Sequence, residues 1–204
     1  MPALAGSSAV KIVTDTTTLG RGADTLMTNC RSCHSLKYVR FRDLRSIGIA
    51  KHQIDEWRGT GSVDSPILAM LAEKDALQSF GIVPPDLSLI AKARDGGVNY
   101  LYSYLLAYHN TADGSVDNSV YPGTKMPDAL GISSATTAPQ LVDIQGKASD
   151  ITSFLAWAAD PHANERIRMG YYVLAYLVVL TSLLYFVKRM IWARLSSSDD
   201  HKTP

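Results

Sequence analysis

Cys30 and Cys33 are the only two cysteines of the chain, and His34 follows the second directly, within TNCRSCHSLKY at residues 28–38. Two thiols at this spacing could form a redox dithiol, half of a zinc site, a disulfide or an anchor for haem. A structural zinc site takes four ligands, usually from a second pair of Cys or His. No further cysteine exists, and His52, His109, His162 and His201 stand singly. A thioredoxin-like dithiol is expected at a helix start after a strand in a βαβ pattern. Here Leu19, Ala23, Leu26 and Met27 recur upstream at helical spacing, with capping side chains from Asp15 to Thr18. The pair therefore belongs near the end of an amphipathic helix. Cys-x-x-Cys-His is the c-type haem attachment pattern. Its chemistry needs this spacing: two thiols add across the vinyl groups of one porphyrin edge, and the adjacent imidazole reaches the iron. Cys30 and Cys33 are candidate thioether anchors of one haem c, and His34 is the candidate proximal ligand.

The sixth ligand decides what such a haem does. An open position binds or activates small ligands, whereas His and Met together make an electron carrier. Met70 and Met126 are the methionines between the haem motif and the basic residues Arg166 and Arg168 that precede the C-terminal apolar segment. Met70 lies in SPILAMLAEKDAL, where Ile67, Leu68, Leu71, Ala72 and Leu77 read as the apolar face of a helix, so core packing is expected for it. Met126 lies in NSVYPGTKMPDALG, where Pro122, Gly123 and Pro127 break regular structure. A methionine in a proline-fixed loop has no helical face to fill, which favours Met126 as distal ligand. His109, after YLYSYLLAY, is the competing ligand; its simpler reading is a histidine at a helix C-terminus.

The elements that must hold these residues sit in a chain of 204 residues, 46% hydrophobic and 19% charged, with a formal net charge of +1. That length suits one domain with an addition, and the absence of a basic excess argues against nucleic acid. Through Asp160 there are 14 Lys and Arg against 16 Asp and Glu, a net of −2; beyond it there are 6 against 3, a net of +3. Gly170 to Val187 is 18 residues without a charge, flanked by Arg166 and Arg168 before it and Lys188, Arg189 and Arg194 after it. As a helix it would cover about 27 Å, close to the hydrocarbon thickness of a bilayer. Tyr171, Tyr172, Tyr185 and Trp192 are placed like interfacial aromatics. A buried core helix rarely combines this length with such flanks, so a membrane anchor in contact with lipid is expected, followed by a short polar tail. MPALAGSSAV lacks the charged start and long apolar core of a secretory signal, and its Ala-Leu-Ala resembles the small residues around a cleavage site.

Four stretches in order then resemble the cytochrome c1 family, the haem subunit of the cytochrome bc1 complex (quinol:cytochrome c oxidoreductase). They are LGRGADTLMTNCRSCHSLKYVRFRDL, PPDLSLIAKARDGGVNYLYSYLLAY, YPGTKMPDAL, and DITSFLAWAADPHANERIRMG leading into the apolar segment. The resemblance implies haem c on Cys30, Cys33 and His34, with Met126 as sixth ligand. It further implies that Arg94 contacts a haem propionate, as guanidinium pairs with carboxylates, and that Pro84 and Pro85 wall the haem. Without the resemblance, Arg94 reads as a surface charge beside Asp95. Two departures stand out: Ser79 occupies a place where the family usually has Asn, and the large acidic insertions of mitochondrial members are missing.

The implied function is electron transfer from a Rieske iron–sulfur protein to a soluble or membrane-bound cytochrome or another high-potential acceptor. Quinol oxidation would belong to the whole complex, a dimeric assembly with a cytochrome b subunit. A weakly acidic haem domain implies modest steering of a basic partner. The alternative is a membrane-anchored haem sensor or enzyme with an open distal site. The expected fold is mainly α, a class I c-type cytochrome-like domain with long loops and one C-terminal transmembrane helix. Helices are expected near residues 18–33, 65–78, 97–108 and 147–159. The expected organisation is a haem domain at 1–162 on the periplasmic side of a bacterial inner membrane, an anchor at 163–195 and a tail at 196–204.

Overall fold

The computed structural model describes residues 10–199, and the side chains of all of these except 164 and 195–199. The Ala-Leu-Ala near the start and the last five residues of the expected tail lie outside the described residues. The chain divides into two units, Met1–Pro161 and His162–Pro204.

In the first unit, α1 (Thr16–Asn29) starts where the Asp15 carboxylate accepts from the backbone N–H groups of Thr17 and Thr18, each at 3.0 Å. Leu19, Ala23, Leu26 and Met27 are buried on its inner face, as their spacing predicts. The helix stops at Asn29, short of the expected 33, because Cys30 caps it and the chain turns sharply. There follow β1 (Leu36–Arg40), a 3₁₀ turn (Phe41–Ile47), α2 (Lys51–Arg58), β2 (Pro66–Ile67), α3 (Glu73–Phe80), the short α4 (Ile90–Ala93) and α5 (Gly97–Leu106). β1 and β2 pair antiparallel with Leu36 opposite Ile67. β3 (Tyr108–Asn110) and β4 (Val116–Asn118) form an antiparallel hairpin with Tyr108 opposite Asn118. The last helix of this unit is α6 (Ala138–Ala158), longer than the expected 147–159. Its first turn is set by Thr137 and Gln140, whose side chains each accept from the other's backbone N–H. That half exposes Val142 and part of Leu141, so it carries little of the burial pattern that marks the rest.

The core forms where α1 packs on α6, around Leu19, Ala23 and Leu26 on one side and Ile151, Phe154 and Leu155 on the other. Gly22 permits the approach. A Cβ there would collide with the Asp150 carbonyl and come within 2.8 Å of Phe154 Cβ. Beside the crossing, the Arg21 guanidinium forks onto Asp150, with Nε at 2.6 Å and Nη2 at 3.0 Å from its two oxygens.

One expected helix is corrected. Residues 65–72 are strand and loop, and helix begins only at Glu73. The backbone of this segment is committed elsewhere: Met70 N–H donates to Arg31 O and Leu71 N–H to Ser32 O, both at 3.0 Å. Met70 is consequently 76% exposed and does not pack in the core. Leu68 and Leu77 are exposed as well.

The second unit is α7 (Ala163–Asp199). Residues Glu165–Arg194 are long and apolar enough to cross a membrane, with mean hydropathy 1.8 over the most apolar window, none of it buried within the chain. An apolar helix that finds no protein core is what a bilayer solvates.

Candidate functional site

The Cys-x-x-Cys-His stretch is wound into one tight turn. Cys33 N–H and His34 N–H both donate to Cys30 O, at 3.1 and 2.9 Å, directly after α1 ends. The turn is clamped from outside. Arg31 between the cysteines donates to the carbonyls of Trp57 (2.5 Å) and Leu68 (3.2 Å), with its guanidinium 5.2 Å above the Phe41 ring centroid. Ser35 Oγ accepts from Ala69 N–H at 2.8 Å, and Ser35 O accepts from Leu87 N–H at 2.8 Å. The segments at 69–71 and 85–88 therefore grip the motif from two sides, which explains why neither is helical.

The second clamp reaches the histidine ring. His34 Nδ1 lies 2.7 Å from the Pro85 carbonyl oxygen. A carbonyl only accepts, so Nδ1 carries the proton and Nε2 keeps a free lone pair. His34 is 8% exposed. Burial pushes its pKa below the ordinary histidine value, which keeps the lone pair available; the Pro85 carbonyl and Asp86 oppose this more weakly. Cys30 is buried and unpaired, and burial raises its thiol to about 11, with Cys33 adding to the shift; Cys33 is partly exposed.

His34, Cys33, Pro84, Pro85 and Met126 line one cleft. Phe80, Ile82 and Pro127 complete its apolar wall, and Lys125 stands at it as well. Met126 is half-buried and packs against the core. Its loop is tied down at three points. Asn29 Nδ2 donates to Ala129 O at 3.1 Å, Tyr108 Oη lies 3.1 Å from Met126 O, and Asp128 accepts from the N–H groups of Gly131 (2.9 Å) and Ser133 (2.7 Å).

The other expected residues lie elsewhere. Arg94 is exposed at the end of α4 and is not among the residues lining the cleft; among the described residues it forms no ion pair, with Asp95 or any other. His109 sits in β3 rather than at a helix end, exposed, with Nδ1 3.3 Å from Ala107 O, and does not line the cleft. Ser79 is exposed on α3. Phe80, Ile82 and Lys125 were not anticipated; the sequence signal for them was adjacency to Pro84 and to Met126.

The donor set fits a covalent c-type haem: two thiols on one turn, an imidazole with its outer nitrogen occupied, a thioether in the same cleft, and walls that are apolar apart from Lys125. The Cytochrome C1 family profile matches residues 9–66 and 63–195. The chain belongs to the cytochrome c1 family. It is 30% identical to a protein named cytochrome c1 from Allochromatium vinosum, over 87% of this chain and 84% of that one. It is 34% identical to a mitochondrial cytochrome c1 haem protein of Neurospora crassa, over 88% of this chain and 63% of that one. It is 27% identical to a protein named cytochrome b/c1 from Bradyrhizobium diazoefficiens, over 86% of this chain and 33% of that longer one. Members of the family carry covalent haem c, and this chain has Cys30 and Cys33 at the required spacing. It is a haem-carrying electron-transfer subunit of the bc1 complex, with one apolar C-terminal helix suited to a single membrane span.

Proposed function

We propose that Cys30 and Cys33 anchor the haem by thioether bonds and that His34 and Met126 are its two iron ligands. The observation carrying this reading is that His34 and Met126, 92 positions apart, line one cleft. Haem bound there supplies reversible one-electron chemistry at iron. The chain's residues do the rest. His34 offers Nε2 because Pro85 O holds the other nitrogen. Met126 would be the second iron ligand, and a thioether in place of a second imidazole would raise the potential. Pro84, Pro85, Phe80 and Ile82 keep water from the iron and need no reorganisation when charge changes. Arg94 is exposed outside the cleft lining, and its pairing with a haem propionate rests on the family resemblance alone.

In this reading the subunit accepts an electron from a Rieske iron–sulfur protein and passes it to a soluble or membrane-bound cytochrome or another high-potential acceptor. Quinol oxidation belongs to the assembled complex, a dimer in which a cytochrome b subunit is the neighbour; the relative named cytochrome b/c1 supports that association. Residues 1–162 form the haem domain on the periplasmic side of a bacterial inner membrane, 163–195 the lipid-embedded anchor and 196–204 the tail. Purification in mild detergent should bring cytochrome b and a Rieske protein with this chain, and the reduced haem should not take up carbon monoxide. A lone species with rapid carbon monoxide binding would instead support the anchored sensor or haem enzyme with an open distal site.

A further inference from the structure

The groups around Met126 close a hydrogen-bonded ring that starts and ends on its own backbone. Met126 N–H reaches Thr124 Oγ1 at 3.3 Å, and Thr124 Oγ1 lies 2.6 Å from Tyr104 Oη. Tyr104 Oη lies 3.2 Å from Tyr108 Oη, which lies 3.1 Å from Met126 O. The order of protons follows from chemistry. A carbonyl can only accept, and a phenol has one proton, so Tyr108 gives its proton to Met126 O. The same Tyr108 hydroxyl is also directed at Tyr104 Oη, Tyr104 and Thr124 share a bond that either can donate, and Thr124 oxygen accepts from Met126 N–H. Tyr108 thus holds the Met126 carbonyl, Thr124 holds its N–H, and Tyr104 links the two hydroxyls.

The frame around the ring is rigid. Tyr108 is 5% exposed and packs edge-on against Tyr104, centroids 5.8 Å apart. Fully buried Asn118 donates to Tyr104 O at 2.8 Å and accepts from the N–H groups of Val120 and Tyr121.

We propose that Tyr108 and Tyr104 are positioning residues for the distal ligand: through the ring they fix the Met126 peptide, and so the reach of its thioether to iron. This rests on Met126 being that ligand. A Met–iron bond is weak, and a loop free to swing would leave it open part of the time. The ring removes that freedom without touching the metal.

The test uses the full-length protein in its membrane complex, with Tyr108→Phe, Tyr104→Phe and Met126→Leu compared. Tyr108→Phe leaves the part-buried Met126 carbonyl without this donor, and the fraction of reduced haem that binds carbon monoxide should rise about tenfold. The far-red absorption of Met-bound ferric haem should weaken and the midpoint potential should fall. Tyr104→Phe keeps the bond from Tyr108 to Met126 and should move the same readouts less. A merely structural tyrosine would lower the melting temperature and leave potential and absorption unmoved; that result, beside a shifted Met126→Leu, overturns the positioning role alone. Unchanged spectra and potential in Met126→Leu overturn the ligand reading and this inference with it. If Tyr108→Phe does not assemble, Tyr104→Phe and Thr124→Val decide the question in its place, because each breaks the ring from a partly exposed side.

Discussion

His34 Nδ1 donates to the carbonyl of Pro85 at 2.7 Å, across 51 positions of sequence. The bond joins the attachment turn to the diproline wall of the same cleft. It also sets which imidazole nitrogen keeps its lone pair, and a hydrogen-bonded Nδ1–H makes Nε2 a stronger donor.

Pro85→Ala should weaken that bond by freeing the backbone that aims the carbonyl. A weaker donor stabilises ferric iron less, so the midpoint potential should rise, by no more than about 60 mV, the one-electron equivalent of tenfold. A redox titration of the membrane-bound protein checks the sign, and a fall in potential would contradict the role given to Pro85.

Met126→Leu should retain haem on a denaturing gel, since the thioether bonds depend on Cys30 and Cys33, yet lower the potential and admit carbon monoxide. Replacing both cysteines with alanine should abolish the haem stain altogether. A stained double variant would disprove covalent attachment at these positions.

Gly22→Ala should destabilise the haem domain by about 1–3 kcal/mol, because the new methyl meets the Asp150 carbonyl at the α1–α6 crossing. Gly20→Ala is the control. Its Cβ would meet only Ile49 Cδ1, at 3.6 Å, and removing a helical glycine should be neutral or stabilising by about 0.5–1 kcal/mol. Thermal melts of the two variants should move apart; equal destabilisation would argue against the close approach.

Asp15 titrates below the ordinary carboxylate value, chiefly through its side-chain hydrogen bond with Thr18 and then the backbone N–H bonds. A depressed folded-state pKa means that Asp15 stabilises the fold above its ordinary value of 3.8, and that this is lost as pH falls through the lower folded value. Asp15→Asn keeps an acceptor at the helix start and should flatten that part of the acid-unfolding curve. Asp15→Ala should lower the melting temperature at neutral pH, and no loss there would remove the capping role.

The features legible in the sequence were those whose chemistry is local. Cys-x-x-Cys-His fits into one turn after α1, so its spacing, with no further cysteine and a helical flank, points to the attachment chemistry, and the buried face of α1 follows from periodicity. The apolar run in α7 needs no partner in the chain to be recognised. Met126 was singled out because prolines and glycine around it break regular structure, and the structure both packs it against the core and sets it in the His34 cleft.

What failed was inference from periodicity where the backbone had another partner. Residues 65–72 have the apolar spacing of a helix, but the N–H groups of Met70 and Leu71 bind the carbonyls of Arg31 and Ser32, and Met70 faces outward. The first half of α6 gives little sequence signal because its outer residues bury little, while the Thr137–Gln140 cap defines it. His109 was displaced from a helix end by the hairpin that begins at Tyr108. By itself the sequence determined the covalent chemistry and the membrane span, both encoded in contiguous residues. Only the tertiary structure decided that the Pro85 carbonyl orients His34, that Met126 shares its cleft while Arg94 does not, and that Tyr104 and Tyr108 grip the Met126 backbone. Those relationships are distances between residues far apart in sequence, and hydrophobic periodicity carries no information about them.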